Sequence, residues 1–341
     1  MRAPRYVSIA FYKISVENKR ISRSHYRSPA SRRPSAALAA RQQMALSAIV
    51  MLATGLPTWT VARPPSQRTC SAAMLADPAD DKPAIIFGGG RIGSTLADLG
   101  GEGDVIVRRG EPFPSEPSDG PIYICTRNDA LAGIVEATPA HRREDLVFMQ
   151  NGMLGKFLDG VGLPDSTQVL LYLAVAKMGE APIDGITDTN PDGLTAATGK
   201  WSAAFAGRLA KGGLTCRQLA GEEYTKAMLE KHIWICAFML VGALNGGVTV
   251  GEVEKDHAAQ LSEVVAELVS AGEMALSVKL ESGVFERLCA YGRSVSHFPT
   301  AVKEFEWRNG WFYDLTLAAV AQGNADPMPL HTAGLKKLQV V

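Results

Sequence analysis

The chain has 341 residues, 35 basic and 35 acidic side chains, and 46% hydrophobic residues. This composition is typical of a folded globular protein and excludes fibrous and wholly disordered chains, while zero net charge argues against a nucleic-acid partner. The net charge is zero because two unlike parts cancel. Residues 1–81 hold 12 basic and 4 acidic side chains, whereas residues 82–341 hold 23 basic and 31 acidic side chains. The two parts of the chain therefore have different tasks.

Residues 1–80 are predicted to be a targeting leader. They are rich in Arg, Ser, Ala and Pro and nearly free of acidic residues, which is typical of organelle transit peptides. Within them, residues 44–56 form a 13-residue apolar run, the length of a signal-peptide core and too short to span a bilayer. We expect the leader to be a signal that targets the protein to the plastid (chloroplast). The alternatives are a mitochondrial targeting signal, and a cytoplasmic protein in which the apolar run is only a surface helix. Translation starting at Met44 is also compatible with this pattern.

A dinucleotide-binding turn is predicted after the first strand of the folded region. Residues 83–87 are apolar, and residues 88–93 read Gly-Gly-Gly-Arg-Ile-Gly before a helical pattern. In such a turn the first glycine allows a tight bend, the second lets the backbone approach a pyrophosphate, and the third lets helix and strand pack closely. The helix N-terminus supplies N–H groups to the anion. Unless this is a chance glycine loop, the cofactor-binding residues here are Gly88, Gly90, Arg91, Ile92 and Gly93.

The residues after the second strand favour NADP(H) over NAD(H). Strand 104–107 is followed by Arg108 and Arg109. An NAD site places an acidic residue here to hold the ribose 2′-hydroxyl, whereas arginine suits the 2′-phosphate of NADP. Asp104 stands at the beginning of this strand and so lies at the wrong end. The sequence predicts NADPH as the cofactor, the alternative being that both arginines are merely solvated.

Polar residues also follow the next two predicted strands. Strand 121–125 leads to Thr126 and Arg127, and strand 145–149 leads to Gln150 and Asn151. Strands that alternate with helices predict a doubly wound parallel sheet, whose ligands bind at the carboxyl ends of the strands. We therefore expect Arg127 and Asn151 to lie beside the cofactor.

The second half of the chain is predicted to be mainly α-helical. After a loop-rich stretch to about residue 200, the pattern becomes helical from Glu222, and residues 233–244 are apolar or glycine throughout, which indicates a buried helix. The substrate is expected in the cleft between the sheet and the helices. The predicted division is a leader at 1–80, a cofactor-binding domain at 81–210 and a helical substrate domain at 211–341.

Lys231 immediately precedes the buried apolar run. A lysine at the edge of an apolar environment can have its pKa lowered towards neutrality, which suits a general acid. The alternative is that Lys231 extends to solvent, as lysines at helix ends commonly do.

The cysteines and histidines predict neither a metal site nor a disulfide framework. The five cysteines are scattered and the six histidines form no metal-ligand pair. Outside the leader no apolar stretch approaches the ~20 residues that a membrane helix needs. We therefore expect no metal and no membrane partner for the mature protein.

From residue 83 to 338 the chain resembles the ketopantoate reductase (2-dehydropantoate 2-reductase) family. The resemblance implies a Rossmann-like sheet domain followed by a helical domain like that of 6-phosphogluconate dehydrogenase. It implies that NADPH delivers a hydride to the C2 carbonyl of a small 2-oxo acid, converting ketopantoate to pantoate in pantothenate biosynthesis. The motifs that carry it, in the family's order, are the glycine turn at 88–93, Arg108-Arg109, Thr126-Arg127, Gln150-Asn151-Gly152-Met153, Lys231, Gly251-Glu252-Val253 and the segment 304–310 (Glu-Phe-Glu-Trp-Arg-Asn-Gly).

The resemblance also implies roles for single residues. Lys231 would protonate the developing alkoxide, and Glu304 would orient the substrate hydroxyl and the lysine. Asn151 would lie between the nicotinamide and the substrate, and Ser296, or else Ser294, would bind the substrate carboxylate. A homodimer is the expected assembly, because dimers are the commonest symmetric oligomers.

Two positions depart from the family. It places asparagines four and eight residues after the catalytic lysine, where this chain has Ile235 and Met239. Pockets that bind hydroxy acids discriminate through paired hydrogen bonds, so this loss should change specificity. Besides ketopantoate reduction, two hypotheses remain open: a related oxidoreductase with a less polar substrate, and an NADPH-binding paralogue without turnover that acts as a sensor or structural partner.

Overall fold

The computed structural model describes residues 82–341, so the predicted leader lies outside the described residues. The strands in the described part are β1 (Ile85–Phe87), β2 (Val105–Val107), β3 (Ile122–Ile124), β4 (Leu146–Phe148), β5 (Thr167–Leu170), β6 (Leu173–Ala174), β7 (Ile183–Asp184), β8 (Ala196–Thr198) and β9 (Arg217–Gln218). The α-helices are α1 (Arg91–Asp98), α2 (Leu131–Ala137), α3 (Gly155–Gly160), α4 (Ser202–Lys211), α5 (Gly221–Leu244), α6 (Val250–Leu276), α7 (Val284–Ser294), α8 (Asn309–Ala321) and α9 (Pro329–Lys337).

Seven strands form one sheet in the order β2-β1-β3-β4-β5-β8-β9, and β6 and β7 form a separate hairpin. The first five strands are parallel, β8 runs antiparallel to β5, and β9 runs parallel to β8. The chain goes from β1 to β2 on one side and then crosses to β3 on the other. This reversal places the turns after β1 and β3 side by side, at the point where such sheets bind ligands. The predicted Rossmann-like sheet is confirmed.

The sheet is buried between two layers of helix. The three residues of each of β1, β3 and β4 are buried and almost all aliphatic or aromatic, as expected for parallel strands covered on both faces. One face packs against Leu96 of α1 and Phe205 of α4, and the other packs against Leu131 of α2 and Leu158 of α3. The core therefore holds the carboxyl edge of the sheet in a fixed geometry.

The helical half is built around α5. In the described part of the chain this helix alone is long and apolar enough to cross a membrane, which corrects the expectation that no such stretch lies outside the leader, yet 61% of its apolar window is buried inside the protein. Helices α6, α7 and α9 and strands β5 and β8 pack around it, which explains why residues 233–244 are apolar on every side. The predicted buried helix is confirmed. The predicted domain boundary at 210/211 stays a prediction; β9 ends at Gln218 and α5 begins at Gly221.

The Gly251-Glu252-Val253 motif starts α6 and has a structural role. Thr249 and Glu252 form a capping box, in which the Glu252 carboxylate accepts from the Thr249 backbone N–H at 2.7 Å and the Thr249 hydroxyl accepts from the Glu252 N–H at 3.4 Å. A Cβ on Gly251 would lie 2.9 Å from the Cβ of Ser296. The motif thus fixes the beginning of α6 and does not reach the carboxyl ends of the strands, where the cofactor is expected.

Candidate functional site

The glycine turn follows β1 with the geometry that the sequence predicts. Gly88 has φ +100°, and its N–H donates to the Val107 carbonyl at 2.9 Å. A Cβ on Gly93 would lie 1.8 Å from the Gly88 oxygen, whereas a Cβ on Gly90 would meet nothing within 4 Å. The first and third glycines are therefore required by the fold, and the second faces open space where a ligand can approach.

The N-terminus of α1 opens onto this space. Gly90 is its N-cap and no side chain caps the helix, so the first N–H groups are available to an anion. The Arg91 guanidinium donates to the carbonyls of Val175 and Ala176 at 2.8 and 3.2 Å. Ile92 packs partly buried against the core. Arg91 and Ile92 can therefore serve a phosphate only through their backbone N–H groups.

The three predicted cofactor-side arginines lie at the ends of β2 and β3. The Arg108 Nε atom is 3.8 Å from the position that a Cβ on Gly89 would take, so its side chain lies against the glycine turn. Arg109 is exposed. Arg127 is also exposed and pairs with Asp129 at 3.5 Å. The structure places the Arg108 side chain against the glycine turn and leaves Arg109 and Arg127 exposed at the ends of their strands.

Asp104 stabilises the fold at the opposite end of β2. Its carboxylate is buried, accepts from the Ala84 N–H at 2.7 Å and forms an ion pair with Arg208 of α4. This engagement explains why an acid near β2 does not mark a ribose-binding site.

The loop after β4 joins the sheet to the helical half. The Gln150 side chain donates to the carbonyls of Ile124 and Thr126 at 2.7 and 3.1 Å, which ties the ends of β3 and β4 together. Gly152 has φ +122°, and a Cβ there would lie 2.4 Å from the Trp307 oxygen. That oxygen also accepts from the Met153 N–H at 2.8 Å. Asn151 is held at the junction between these contacts.

Lys231 is buried in α5 and does not extend to solvent. Its residue is 8% exposed, its ammonium donates to the Leu171 carbonyl, and Nζ lies 4.1 Å from the centroid of the Tyr172 ring. Burial, and secondly the charge of Arg308, lower the pKa of Lys231 from 10.5 to about 7. The ammonium is therefore ready to give up a proton near neutral pH.

A small cavity of about 10 Å³ brings Lys231 and Asn151 together. This volume holds about one water molecule. Its walls come from both halves of the described chain: Gln150, Asn151, Gly152, Val169, Leu170, Met228, Lys231, His232 and Ile235. Among residues 82–341, no group of His, Cys, Asp or Glu side chains is arranged to hold a metal ion. The chemistry of the cavity rests on the lysine.

Solved structures share this arrangement of sheet and helices. A dimeric ketopantoate reductase from Staphylococcus aureus superposes with a TM-score of 0.57 at 15% identity, over 76% of this chain and 98% of that one. A 2-dehydropantoate 2-reductase from Methylococcus capsulatus gives 0.55 at 13% identity, over 76% and 96%. The D-mandelate dehydrogenase with NADH and anilino(oxo)acetate gives 0.52 at 14% identity, over 75% and 99%. Neither a family model nor a curated protein matches the sequence.

The chain has the ketopantoate reductase fold. The resemblance predicted from the ordered motifs is thus confirmed for the architecture. A shared fold hosts many activities, so the chemistry has to be argued from the side chains in place.

Within the ketopantoate reductase fold, the two departures from the family differ in position. Ile235 forms part of the cavity wall and is buried. Met239 packs against the helical core and is not among the lining residues. The cavity is therefore less polar than a pocket with asparagine at both positions.

The structure does not bring Ser296 into the cavity. Ser296 is exposed, and its carbonyl accepts from the Gly251 N–H at 2.9 Å at the start of α6. Ser294 is exposed as well, and its hydroxyl donates to the Tyr291 carbonyl at 2.7 Å. The carboxylate-binding role of either serine stays a prediction.

Glu304 is bound to Arg308 and not to Lys231. It adopts a left-handed conformation (φ 49°, ψ 49°), and its carboxylate forms an ion pair with the Arg308 guanidinium. Neighbouring Asn309 is buried, 3.0 Å from the His331 imidazole, and a Cβ on Gly310 would lie 2.6 Å from the Phe305 oxygen. The Asn-Gly pair of this segment therefore shapes the turn, and its two charged residues pair with each other.

Sequence reasoning missed two residues beside Lys231. Arg308 occupies a variable position of the family motif, and the one available signal was a cation four residues after Glu304. His232 lines the cavity and is stacked on Phe312 with ring centroids 5.1 Å apart. Burial lowers the pKa of His232 to about 3, so this imidazole is neutral at physiological pH.

Proposed function

We propose that the protein is an NADPH-dependent reductase of a 2-oxo acid, and that ketopantoate is the first substrate to test. The observation that carries the proposal is the cavity lined by both Asn151 and Lys231. Asn151 follows β4 at the edge of the sheet where the cofactor is expected to bind, and the pKa of Lys231 is about 7. The shared fold with ketopantoate reductases and with an NADH-bound D-mandelate dehydrogenase supports the same chemistry.

The residues at the carboxyl edge fit a nicotinamide dinucleotide. Gly90 leaves open space at the N-terminus of α1, where uncapped N–H groups suit a pyrophosphate. Arg108, lying against the turn, would bind the 2′-phosphate, with Arg109 and Arg127 at the rim. When bound, NADPH supplies the hydride; Asn151 would position the nicotinamide beside the carbonyl.

Lys231 would supply the proton. A carbonyl oxygen that gains negative charge during reduction is stabilised by a cation held at hydrogen-bond distance in a site from which water is excluded. The Leu171 carbonyl and the Tyr172 ring hold the ammonium in one place, so little reorganisation is needed. Because its pKa is near neutrality, Lys231 can donate the proton fully once the alkoxide forms.

Substrate entry requires the cavity to open. A volume of about 10 Å³ does not accommodate a 2-oxo acid beside a nicotinamide ring. The walls belong to the loop after β4 on one side and to α5 on the other, so we propose that these two elements separate on binding and close around the substrate.

A second candidate is a 2-oxo acid with an apolar side chain. The observation that favours it is the apolar wall formed by Val169, Leu170, Met228 and Ile235, where a polar diol-like substrate finds few partners. A D-mandelate dehydrogenase with the same fold was solved with NADH and anilino(oxo)acetate, which supports testing substrates with an aromatic side chain.

The test is oxidation of NADPH and NADH by the purified full chain with ketopantoate, benzoylformate and unbranched 2-oxo acids. Turnover with at least one acid is expected, and Lys231→Ala should abolish most of it. Lys226→Ala is the matched control, because Lys226 lies on the same helix and pairs with Glu222 and Glu223 at the surface. Cofactor binding without turnover on any acid would contradict the proposal and favour a sensor or structural role.

Two further parts of the proposal concern assembly and location. A homodimer is proposed because the S. aureus protein of this fold is described as dimeric, and light scattering of the purified protein tests it. Plastid targeting is proposed from the leader composition at 1–80. N-terminal sequencing of the mature protein tests it, and a mature chain that begins at Met1 would contradict it.

A further inference from the structure

Arg308 is a half-buried cation close to the proposed acid. Its side chain is 15% exposed, and its charge lowers the pKa of both Lys231 and His232, which line the cavity. The residue before it, Trp307, contacts Gly152 and Met153 through its carbonyl oxygen. Arg308 therefore lies where the loop after β4 meets α5, near Lys231 and His232, although it is not itself one of the residues that line the cavity.

The guanidinium has unused binding capacity. Its Nη2 group donates to Glu304, whereas its Nε is buried and has no hydrogen-bond partner. A buried charged donor without a partner is costly, and each one requires an explanation. Arginine binds a carboxylate through two parallel N–H groups. The free Nε and the neighbouring Nη2 are such a pair, and only one of them is occupied.

The segment around Arg308 is held in a defined shape. Glu304 has a positive φ, which is uncommon for a residue with a side chain and is found at binding sites more often than elsewhere. Its carbonyl accepts from the N–H groups of Trp307 and Arg308 at 3.0 and 3.2 Å. These hydrogen bonds keep the carboxylate of Glu304 and the guanidinium of Arg308 facing each other when no ligand is bound.

We propose that Arg308 binds the carboxylate of the 2-oxo acid, and that Glu304 occupies this carboxylate site in the free protein. The inference rests on the proposed function and adds to it the residue that selects acids over neutral ketones. A 2-oxo acid carries its carboxylate and its carbonyl on adjacent carbons, so the carbonyl oxygen can reach Lys231 while the carboxylate reaches Arg308. Arg308 thereby supplies a polar contact to the substrate, whereas Ile235, which replaces an asparagine of the family, supplies none.

The experiment compares the best 2-oxo acid of the panel with its methyl ester, which keeps the carbonyl and loses the anion. Arg308→Gln should raise KM for the acid about 10- to 100-fold, the range that a charge-assisted hydrogen-bond pair supplies, and leave the ester within a few-fold. Arg308→Lys should recover part of the loss. Arg293→Gln is the control, since Arg293 also pairs with glutamates but at the surface of α7.

Glu304→Gln separates binding from folding. It keeps Arg308 and removes the competing carboxylate, so KM for the acid should fall while KM for the ester stays within a few-fold, and an unchanged KM for the acid would show that Glu304 does not occupy the carboxylate site. Equal losses on acid and ester in Arg308→Gln would overturn the inference and leave Arg308 a structural residue.

A binding measurement distinguishes failure of this inference from failure of the proposed function. Oxamate, an unreactive 2-oxo acid analogue, should raise the thermal midpoint of the NADPH-loaded wild type and not that of Arg308→Gln. This measurement reports on carboxylate binding even if the protein reduces no 2-oxo acid. Absence of an oxamate effect on the wild type, or an equal effect on both proteins, would overturn the carboxylate site.

Discussion

Lys231 and Tyr172 form a contact that joins the two halves of the molecule: the ammonium of α5 lies 4.1 Å from the centre of a ring carried by the segment after β5. The same lysine donates to the neighbouring Leu171 carbonyl. Both interactions favour an ammonium, yet burial outweighs them and lowers the pKa of Lys231 to about 7. Its position is fixed by these contacts, but its pKa still allows it to lose the proton near neutral pH, as a general acid must.

The pH dependence of turnover should follow this lysine. Because the acid acts in its protonated form, kcat should be highest below pH 7 and fall as pH rises through about 7. A tenfold loss per pH unit is expected well above that value. The measurement is a pH-rate profile, and a profile flat to pH 9 would contradict the assignment.

The free energy of unfolding should also depend on Lys231, but it should rise with pH in the range where turnover falls. Between pH 7 and 10.5 the unfolded chain keeps Lys231 protonated while the folded chain does not, so the free energy of unfolding should rise with pH in this window. Comparing wild type with Lys231→Met isolates the effect, since the variant should show a smaller rise. Identical pH slopes for the two proteins would indicate an ordinary lysine.

Two glycine substitutions separate packing from cofactor binding. Gly93→Ala should destabilise the protein by about 1–3 kcal/mol, because its Cβ would lie 1.8 Å from the Gly88 oxygen and α1 would have to shift. Gly90→Ala should leave stability unchanged, because its Cβ meets nothing within 4 Å, and should still weaken NADPH binding. Thermal unfolding and a fluorescence titration measure the two effects. Unchanged NADPH affinity in Gly90→Ala would argue against a phosphate at this turn.

Arg108→Ala should change cofactor preference. It removes the guanidinium that lies against Gly89, so NADPH affinity should fall about 10- to 100-fold while NADH affinity stays within a few-fold. Lys337→Ala, an exposed cation at the end of α9, serves as the control. Equal losses for both cofactors would show that Arg108 binds something other than the 2′-phosphate.

Ile235→Asn should shift specificity towards polar substrates. The amide would enter the cavity wall four residues after Lys231 and offer hydrogen bonds to a substrate hydroxyl, giving up to about a tenfold gain in kcat/KM for ketopantoate relative to benzoylformate. Met239→Asn is the matched control, because Met239 is not part of the wall, and it should not change the ratio. A larger effect from Met239 would mean that the substrate lies deeper along α5.

Local patterns were enough to predict the scaffold. A short apolar strand, a glycine turn and a helix are encoded within about fifteen residues at 83–98, and each step obeys steric rules that depend on neighbouring residues. The same holds for α5, whose unbroken apolar sequence requires a protein environment on every side. The order of such elements determined the parallel sheet and its ligand-binding edge.

The site depended on contacts that no local pattern contains. Asn151 and Lys231 are 80 residues apart and meet only because the loop after β4 packs against α5. Asp104 could be excluded from the cofactor site by its position before the strand, but its partner Arg208 became visible only in the folded chain. Burial, which makes Lys231 an acid and leaves the Nε of Arg308 without a partner, is a property of the surrounding atoms.

By itself, the sequence determined the first four strands, the glycine turn, the buried helix and the position of the lysine, because these follow from steric limits and apolar periodicity over short distances. The tertiary structure alone decided which charges pair with each other and which side chains line the cavity. It turned Glu304 towards Arg308, removed Ser296 from the cavity wall and placed Ile235 in it. Electrostatic neighbours and desolvation are set by packing between distant segments, and that packing is absent from any local stretch of sequence.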